Sequence, residues 1–207
     1  MFECYGATES GIITNLRPSL HLHKRNCVGS PFVATEVKLL DDDGIEVGPE
    51  QVGELFSKSP YLFSGYWENP EETRAARRDE WVSVGDLARR DADGCYYIVG
   101  RKKDMIISGG MNIYPKAIED EILKMPEVSQ VAVVGVPDSK WGEIVHAEIV
   151  LAPDAQTSGD NVREFCRETL STYSIPRSVS FVTDLPKNVS GKILKREIRE
   201  CRAKERS

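Results

Sequence analysis

The apolar and polar positions divide the chain into two halves with different periods. Through about residue 100, short alternating runs predominate. Val33 to Leu40 alternates as a strand, Asp42-Asp43-Gly44 supplies a hairpin turn, and Val52 to Ser57 forms the returning strand. Asp91-Ala92-Asp93-Gly94 marks a second turn, followed by the strand Cys95-Tyr96-Tyr97-Ile98-Val99. Between the hairpins, Asn69-Pro70-Glu71-Glu72 opens a short helix reaching about Arg77, with proline in its first turn and acids at its positive end. Met1-Phe2-Glu3-Cys4 reads as the tail of a buried strand.

After Arg101 helix alternates with strand. Tyr114-Pro115 starts a helix whose apolar face is Ile118, Ile122 and Met125. Val128 to Val136 and Ile144 to Leu151 read as strands, and Val162, Phe165, Cys166, Thr169 and Leu170 follow on a helix. Val179 to Val182 is a third strand, and Gly191 leads into a last helix through Ile193, Leu194 and Ile198. The fold class is mixed α/β: a β-rich part over residues 1–102, then a compact α+β domain over residues 103–207 with helices on a small sheet. The boundary lies at Lys102 to Asp104, without a Pro/Gly/Ser linker, and no internal repeat or low-complexity tract is present.

Composition narrows the function classes. At 207 residues there is bulk for one or two small domains with a real core. A formal net charge of -6 argues against a partner bound through nucleic-acid phosphates. The stretch from Lys187 to Arg206 is nonetheless locally basic, and reads either as a solvated helix end or as a contact for an anionic ligand. Cys4, Cys27, Cys95, Cys166 and Cys201 form no CxxC pair, the pattern of reduced structural thiols in a cytoplasmic protein. His21 and His23 lack a third metal ligand nearby, and His146 is equally uncommitted. No apolar run approaches the roughly 18 residues of a membrane span, and the N-terminus carries no basic-then-apolar signal pattern.

Three motifs follow one another in order. They are Tyr5-Gly6-Ala7-Thr8-Glu9, then Gly85-Asp86 with Gly100-Arg101-Lys102-Lys103-Asp104, then Pro186-Lys187-Asn188-Val189-Ser190-Gly191-Lys192. The last contains a Gly-Lys pair but is not a P-loop, because Pro186 and Ile193 stand where that loop needs glycine and Ser/Thr. Together the motifs resemble the second half of an adenylate-forming ligase, the family of acyl-CoA and aryl-CoA synthetases. The resemblance runs from Tyr5 to about Arg199, with Gly53-Glu54-Leu55 and Gly65-Tyr66-Trp67 fitting the intervening structural motif. Lys58-Ser59-Pro60 departs from the usual Arg-Gly-Pro.

The resemblance implies roles. Lys192 reaches over the reacting carboxylate and the α-phosphate of ATP, where a point cation stabilises accumulating negative charge. Thr8 hydrogen-bonds the α-phosphate and Glu9 holds Mg²⁺, as suits a hydroxyl donor and a hard carboxylate oxygen. Tyr5 stands near the adenine. Asp86 accepts both ribose hydroxyls, which two carboxylate oxygens can do, and Arg101 meets the same ribose. Threonine is usual where this chain has Val84, which removes one polar contact with the nucleotide. Lys103 is the hinge about which the smaller domain swings. Gly109 and Gly110, in Ser108-Gly109-Gly110-Met111-Asn112-Ile113-Tyr114-Pro115, line the pantetheine tunnel of coenzyme A, with Trp141 as either a further wall or an ordinary buried tryptophan.

The implied activity is ligation of a fatty-acyl or aryl acid to coenzyme A, at the expense of ATP and through an acyl-adenylate. The Gly/Ser/Thr-rich loop that grips the β- and γ-phosphates has no counterpart in these residues, nor does the acyl pocket. The resemblance therefore implies a β-rich remnant of the large adenylation domain joined to the C-terminal lid domain, inactive alone, with a separately encoded N-terminal half as a possible partner. A non-catalytic module binding nucleotide, coenzyme A or a polypeptide is the alternative. A carrier-protein-directed ligase is disfavoured by the Gly109-Gly110 context. Acyl, aryl and bile-acid-like substrates stay open. Without its covering domain the first hundred residues are expected to be sticky or poorly ordered, and the later domain to fold by itself.

Overall fold

The structure is a computed structural model that describes residues 1–205. Arg206, the end of the basic stretch, and Ser207 lie outside the described residues. The chain divides into two compact units, the first Met1–Lys103 and the second beginning at Asp104.

The first unit is built on hairpins. Its elements are β1 (Glu3–Ala7), β2 (Gly11–Leu16), α1 (Pro18–His21), β3 (Cys27–Pro31), β4 (Glu36–Leu40), β5 (Val52–Lys58), α2 (Pro70–Ala75), β6 (Arg77–Arg78), β7 (Trp81–Val82), β8 (Asp86–Arg90) and β9 (Tyr96–Arg101). The sheet runs β1-β2-β3-β9-β8-β5-β7-β6, with β4 on β5. Both predicted turns close hairpins: Asp41 and Asp91 each use a side-chain oxygen to cap their own turn, accepting from Asp43 and Ile45, and from Asp93 and Cys95. Helix α2 starts where Asn69 accepts the Glu72 N–H, and ends at Ala75, short of Arg77, which pairs instead with Val82. Inward-facing Ile13, Leu39, Leu55, Ala88 and Tyr96 form the core.

Met1 to Cys4 is exposed, not the buried strand end that its sequence suggests. The reason is position: β1 is the last strand of the sheet, paired to β2 alone. Leu22, Val33 and Trp67 of this unit are also largely exposed, at 87%, 76% and 89%.

The second unit contains β10 (Ile106–Ser108), β11 (Met111–Ile113), α3 (Pro115–Ile122), β12 (Val128–Asp138), β13 (Gly142–Leu151), α4 (Gly159–Arg167), β14 (Ser178–Phe181) and α5 (Lys195–Glu205). Strands run β11-β10-β13-β12, and β14 joins β13 in parallel. The runs of β12 and β13 are apolar nearly throughout because both faces are covered. Val131, Val133, Val145, Ala147 and Ile149 share one cluster with Ile118 and Ile122 of α3 and Val162 and Cys166 of α4. Ala132, Val134, Val136, Ile144 and Val150 share the other with Leu185 and Ile198 of α5. Helix α5 begins at Lys195, so Ile193 and Leu194 belong to the preceding hairpin, in which Lys187 bridges Ile193. Among the described residues no helix is long and apolar enough to cross a membrane.

Candidate functional site

Asp86 is the most constrained of the candidate residues. It opens β8 directly opposite Arg101, the last residue of β9. Counting back from the turn pairs Arg90 with Tyr96 and Ala88 with Ile98; an irregularity between Leu87 and Ala88 then takes up one extra residue. The shift replaces an Asp86–Gly100 pairing by Asp86–Arg101. The guanidinium Nε thus lies 3.2 Å from Asp86 Oδ1. On the other oxygen, the Tyr5 hydroxyl donates to Oδ2 at 2.5 Å. Asp86 is buried, and burial followed by the Asp86 charge holds the Tyr5 hydroxyl far above its ordinary pKa, so it remains a donor. The structure thus joins Tyr5, Asp86 and Arg101 from three strands into one polar cluster.

Thr8 and Glu9 lie in the turn between β1 and β2, Thr8 exposed and Glu9 half-buried. Glu9 is held from two sides: its carbonyl accepts the Phe63 N–H at 2.8 Å, and its Oε1 accepts the Tyr66 hydroxyl at 2.7 Å. Burial, then the bond to Glu9, pushes the Tyr66 hydroxyl up to about 12. Among the described residues no group of three His, Cys, Asp or Glu is arranged to hold a metal ion.

Lys103 sits in a single 3₁₀ turn, Lys102–Asp104, right after β9. Its neighbour Lys102 is tethered, with Nζ 2.8 Å from Asp42 and 3.1 Å from Glu54. The hydrogen bond from Lys102 holds the Asp42 carboxyl below its usual range. An open pocket of about 330 Å³ is lined by Val84, Gly85, Arg101, Lys102 and Lys103.

In the second unit Gly109 and Gly110 form the tight turn between β10 and β11, with φ of +57° and +80°. A Cβ on Gly109 would lie 2.8 Å from Trp141 Cε3, so a side chain does not fit there. The Gly109 N–H donates to the Trp141 carbonyl at 2.8 Å. Trp141 is half-buried, and Arg177 lies 4.4 Å and Lys140 5.2 Å from its ring.

Lys192 is exposed on the hairpin that precedes α5. Asn188 organises this hairpin: its Oδ1 accepts from the Ser190 N–H, the Ser190 hydroxyl and the Lys192 N–H at 3.1, 2.8 and 2.9 Å. Lys195, at the start of α5, is anchored 2.6 Å from Glu119 of α3.

Sequence reasoning passed over Glu54, Tyr66, Lys102, Lys140 and Arg177. Tyr66 and Glu54 stand inside the recognisable strings Gly65-Tyr66-Trp67 and Gly53-Glu54-Leu55, which were the available signal. Arg177 reaches Trp141 only through the parallel seating of β14 on β13, which no local pattern announces.

Comparison with known proteins adds an independent line. The family model described as AMP-binding enzyme matches residues 1–67, and that described as AMP-binding enzyme C-terminal domain matches residues 117–192. The long-chain-fatty-acid–CoA ligase of Salmonella typhimurium is 42% identical over 200 residues, covering 97% of this chain and 36% of the relative. The feruloyl-CoA synthase of an Amycolatopsis species is 41% identical over 196 residues, covering 94% and 40%. Among solved structures, o-succinylbenzoate CoA synthetase from Bacillus subtilis with its acyl-adenylate intermediate gives a TM-score of 0.90 at 34% identity, covering 96% of this chain and 40% of that one. The same enzyme with ATP and a magnesium ion gives 0.88 at 33% identity, covering 95% and 40%. The chain thus spans 36% to 40% of the length of these relatives.

Proposed function

The chain belongs to the adenylate-forming enzymes, and from that premise we propose that it is the C-terminal part of an ATP-dependent carboxylate–CoA ligase. Residues 1–102 are then the end of the adenylation domain, and residues 103–207 the lid domain. The reaction is carboxylic acid, ATP and coenzyme A to acyl-CoA, AMP and pyrophosphate, with a fatty-acyl or aryl acid as substrate. The similarity to fatty-acid, ferulate and succinylbenzoate ligases supports this class without choosing within it.

The observation that carries the proposal is the Tyr5–Asp86–Arg101 cluster. An ionised carboxylate offers about four lone-pair sites. Tyr5 and Arg101 use one on each oxygen, so each keeps one for a hydroxyl of a vicinal diol. That fits a ribose, and Arg101 also lines the open pocket beside it. Glu9 offers one hard oxygen ligand; Mg²⁺ needs no more from the protein when phosphates and water complete its shell. Bound ATP supplies the leaving group that activates the carboxylate. What this chain contributes is a buried anion that orients the nucleotide, a Thr8 hydroxyl donor, and a mobile cation, Lys192, for the phosphate charge.

In the glycine turn, Gly110 faces open space while Gly109 is covered by Trp141, and an open glycine beside an aromatic wall supports passage of a narrow pantetheine arm. A cytoplasmic setting belongs to the same proposal, supported by five unpaired cysteines. An N-terminal half, encoded with or apart from this chain, is the implied partner.

The test joins this chain to the part of the Salmonella ligase that it does not match. Carboxylate-dependent ATP–pyrophosphate exchange and acyl-CoA formation are expected from the joined protein and not from the chain alone. Asp86→Ala and Lys192→Ala should suppress adenylation. A folded joined protein with neither activity would overturn the ligase proposal and favour the non-catalytic module.

A further inference from the structure

Glu54 stands on β5, a central strand of the first unit, with its side chain only 16% exposed. A carboxylate so placed is costly unless its oxygens are matched. Both are matched, by two residues that also bond to the Gly85 turn. The Ser83 hydroxyl donates to Oε1 at 2.6 Å, and the Lys102 ammonium donates to Oε2 at 3.1 Å.

The same two residues grip Gly85. Its N–H donates to Ser83 Oγ at 3.0 Å, and its carbonyl accepts the Lys102 N–H at 2.8 Å. Glu54, Ser83, Gly85 and Lys102 therefore close a ring of hydrogen bonds. Gly85 has φ +76°, a conformation that only glycine adopts freely, and the next residue is Asp86. The register of β5 on β8 places Glu54 opposite Leu87, so the ring is fastened to the sheet just beyond Asp86. Asp42 gives Lys102 a second anionic partner at the rim, 2.8 Å away.

We propose that Glu54 is a positioning residue for Asp86: through Ser83 and Lys102 it fixes the Gly85 turn, and so the place at which the buried carboxylate meets the nucleotide ribose. This rests on the nucleotide reading given above. Val84 carries no hydroxyl, so the hydroxyl that binds this turn is that of Ser83. A carboxylate with no more than a strand role would have its oxygens in water or on its own ladder. Here they hold two residues 19 apart in sequence, Ser83 before the Gly85 turn and Lys102 just after β9, and charge-assisted bonds of this kind are the stronger ones.

The experiment uses the 207-residue chain labelled with ¹⁵N. Amide exchange is read at Gly85 and Lys102, whose N–H groups are the ring's backbone donors, and AMP is titrated while the Asp86 and Arg101 amide signals are followed. Glu54→Ala and Ser83→Ala are expected to speed exchange at both amides at least tenfold and weaken AMP binding at least tenfold. Ser83→Thr, which keeps the hydroxyl, should restore both. Lys102→Met opens the ring from its other side, which covers the case of a Glu54 variant that does not fold. Unchanged exchange overturns the ring; faster exchange with unchanged AMP affinity overturns the positioning role. A wild-type chain that takes up no AMP brings down the nucleotide reading itself and this proposal with it, whereas AMP bound equally by wild type and variants brings down this proposal alone.

Discussion

Replacing Tyr5 by phenylalanine removes one oxygen from the cluster and leaves the ring in the core it shares with Ile13, Leu55 and Tyr96. What is lost is the bond to Asp86 Oδ2 at 2.5 Å. A hydrogen bond to a charged group contributes about 1.5–3 kcal/mol. Arg101 remains on the other oxygen, but its side chain is 38% exposed, so solvent screens that pair and little of the loss is recovered. The first unit should therefore lose about 1.5–3 kcal/mol, roughly 10- to 150-fold in its folding equilibrium. Urea unfolding followed by hydrogen exchange on separate peptides measures this. Peptides from β8 and β9 should unfold at lower urea in Tyr5→Phe, while those from β12 and β13 serve as an internal reference. In an Asp86→Asn background the same change should cost less, because the oxygen it leaves bare is no longer charged. A Tyr5→Phe loss below about 0.5 kcal/mol, the range of ordinary surface changes, would refute the reasoning: it would mean that water satisfies Asp86 in place of the tyrosine.

Other consequences are open to measurement. Ile122 is fully buried between α3 and the sheet, so Ile122→Ala should cost the second unit about 2–5 kcal/mol in a denaturant titration. Gly109→Ala meets both a positive φ and the Trp141 ring, and should destabilise β10–β11 by more than about 1 kcal/mol, read from the Trp141 indole signal during thermal unfolding. Native thiol labelling should modify Cys4 and Cys201 rapidly, and Cys27, Cys95 and Cys166 only on unfolding. Burial, then the charge of Glu121, pushes the Cys166 thiol up to about 11. Its contribution to stability is thus complete below the unfolded thiol pKa, about 8.5, and is lost as pH rises towards about 11. The urea midpoint of the second unit should fall over that window, and less so in Cys166→Ala. Limited proteolysis should cut the first unit, with its exposed Leu22, Val33 and Trp67, before the second; first cuts within β12 or β13 would contradict this.

Much of the architecture was legible locally. Asp41 and Asp91 cap their own turns, so the two hairpins follow from Asp-rich segments between alternating strands. The long apolar runs of β12 and β13 announce a sheet covered on both faces, and Tyr114-Pro115 marks the start of α3. Strands β2, β3, β6, β7, β8, β10 and β11 have no reading in the sequence, because short or polar runs such as Cys27–Pro31 carry little period-2 signal. The exposure of Met1 to Cys4 escapes the sequence for a related reason: apolar residues such as Phe2, just before β1, do not say whether anything covers them.

The candidate residues could be named from sequence because each sits in a short string whose chemistry is interpretable: a carboxylate after a glycine, an arginine after a strand, a lysine after a tight turn. Their connections could not. The irregularity between Leu87 and Ala88 shifts the pairing by one and sets Arg101 opposite Asp86; an unbroken ladder would have placed Gly100 there. Tyr5 reaches the same carboxylate across 81 residues of sequence, and Glu54 holds the preceding turn from another strand. Local patterns determine which backbone each segment prefers, because turns and periodicity depend on neighbours in the chain. Which polar atoms meet is decided by strand register and sheet order, and these are settled only when the whole sheet packs.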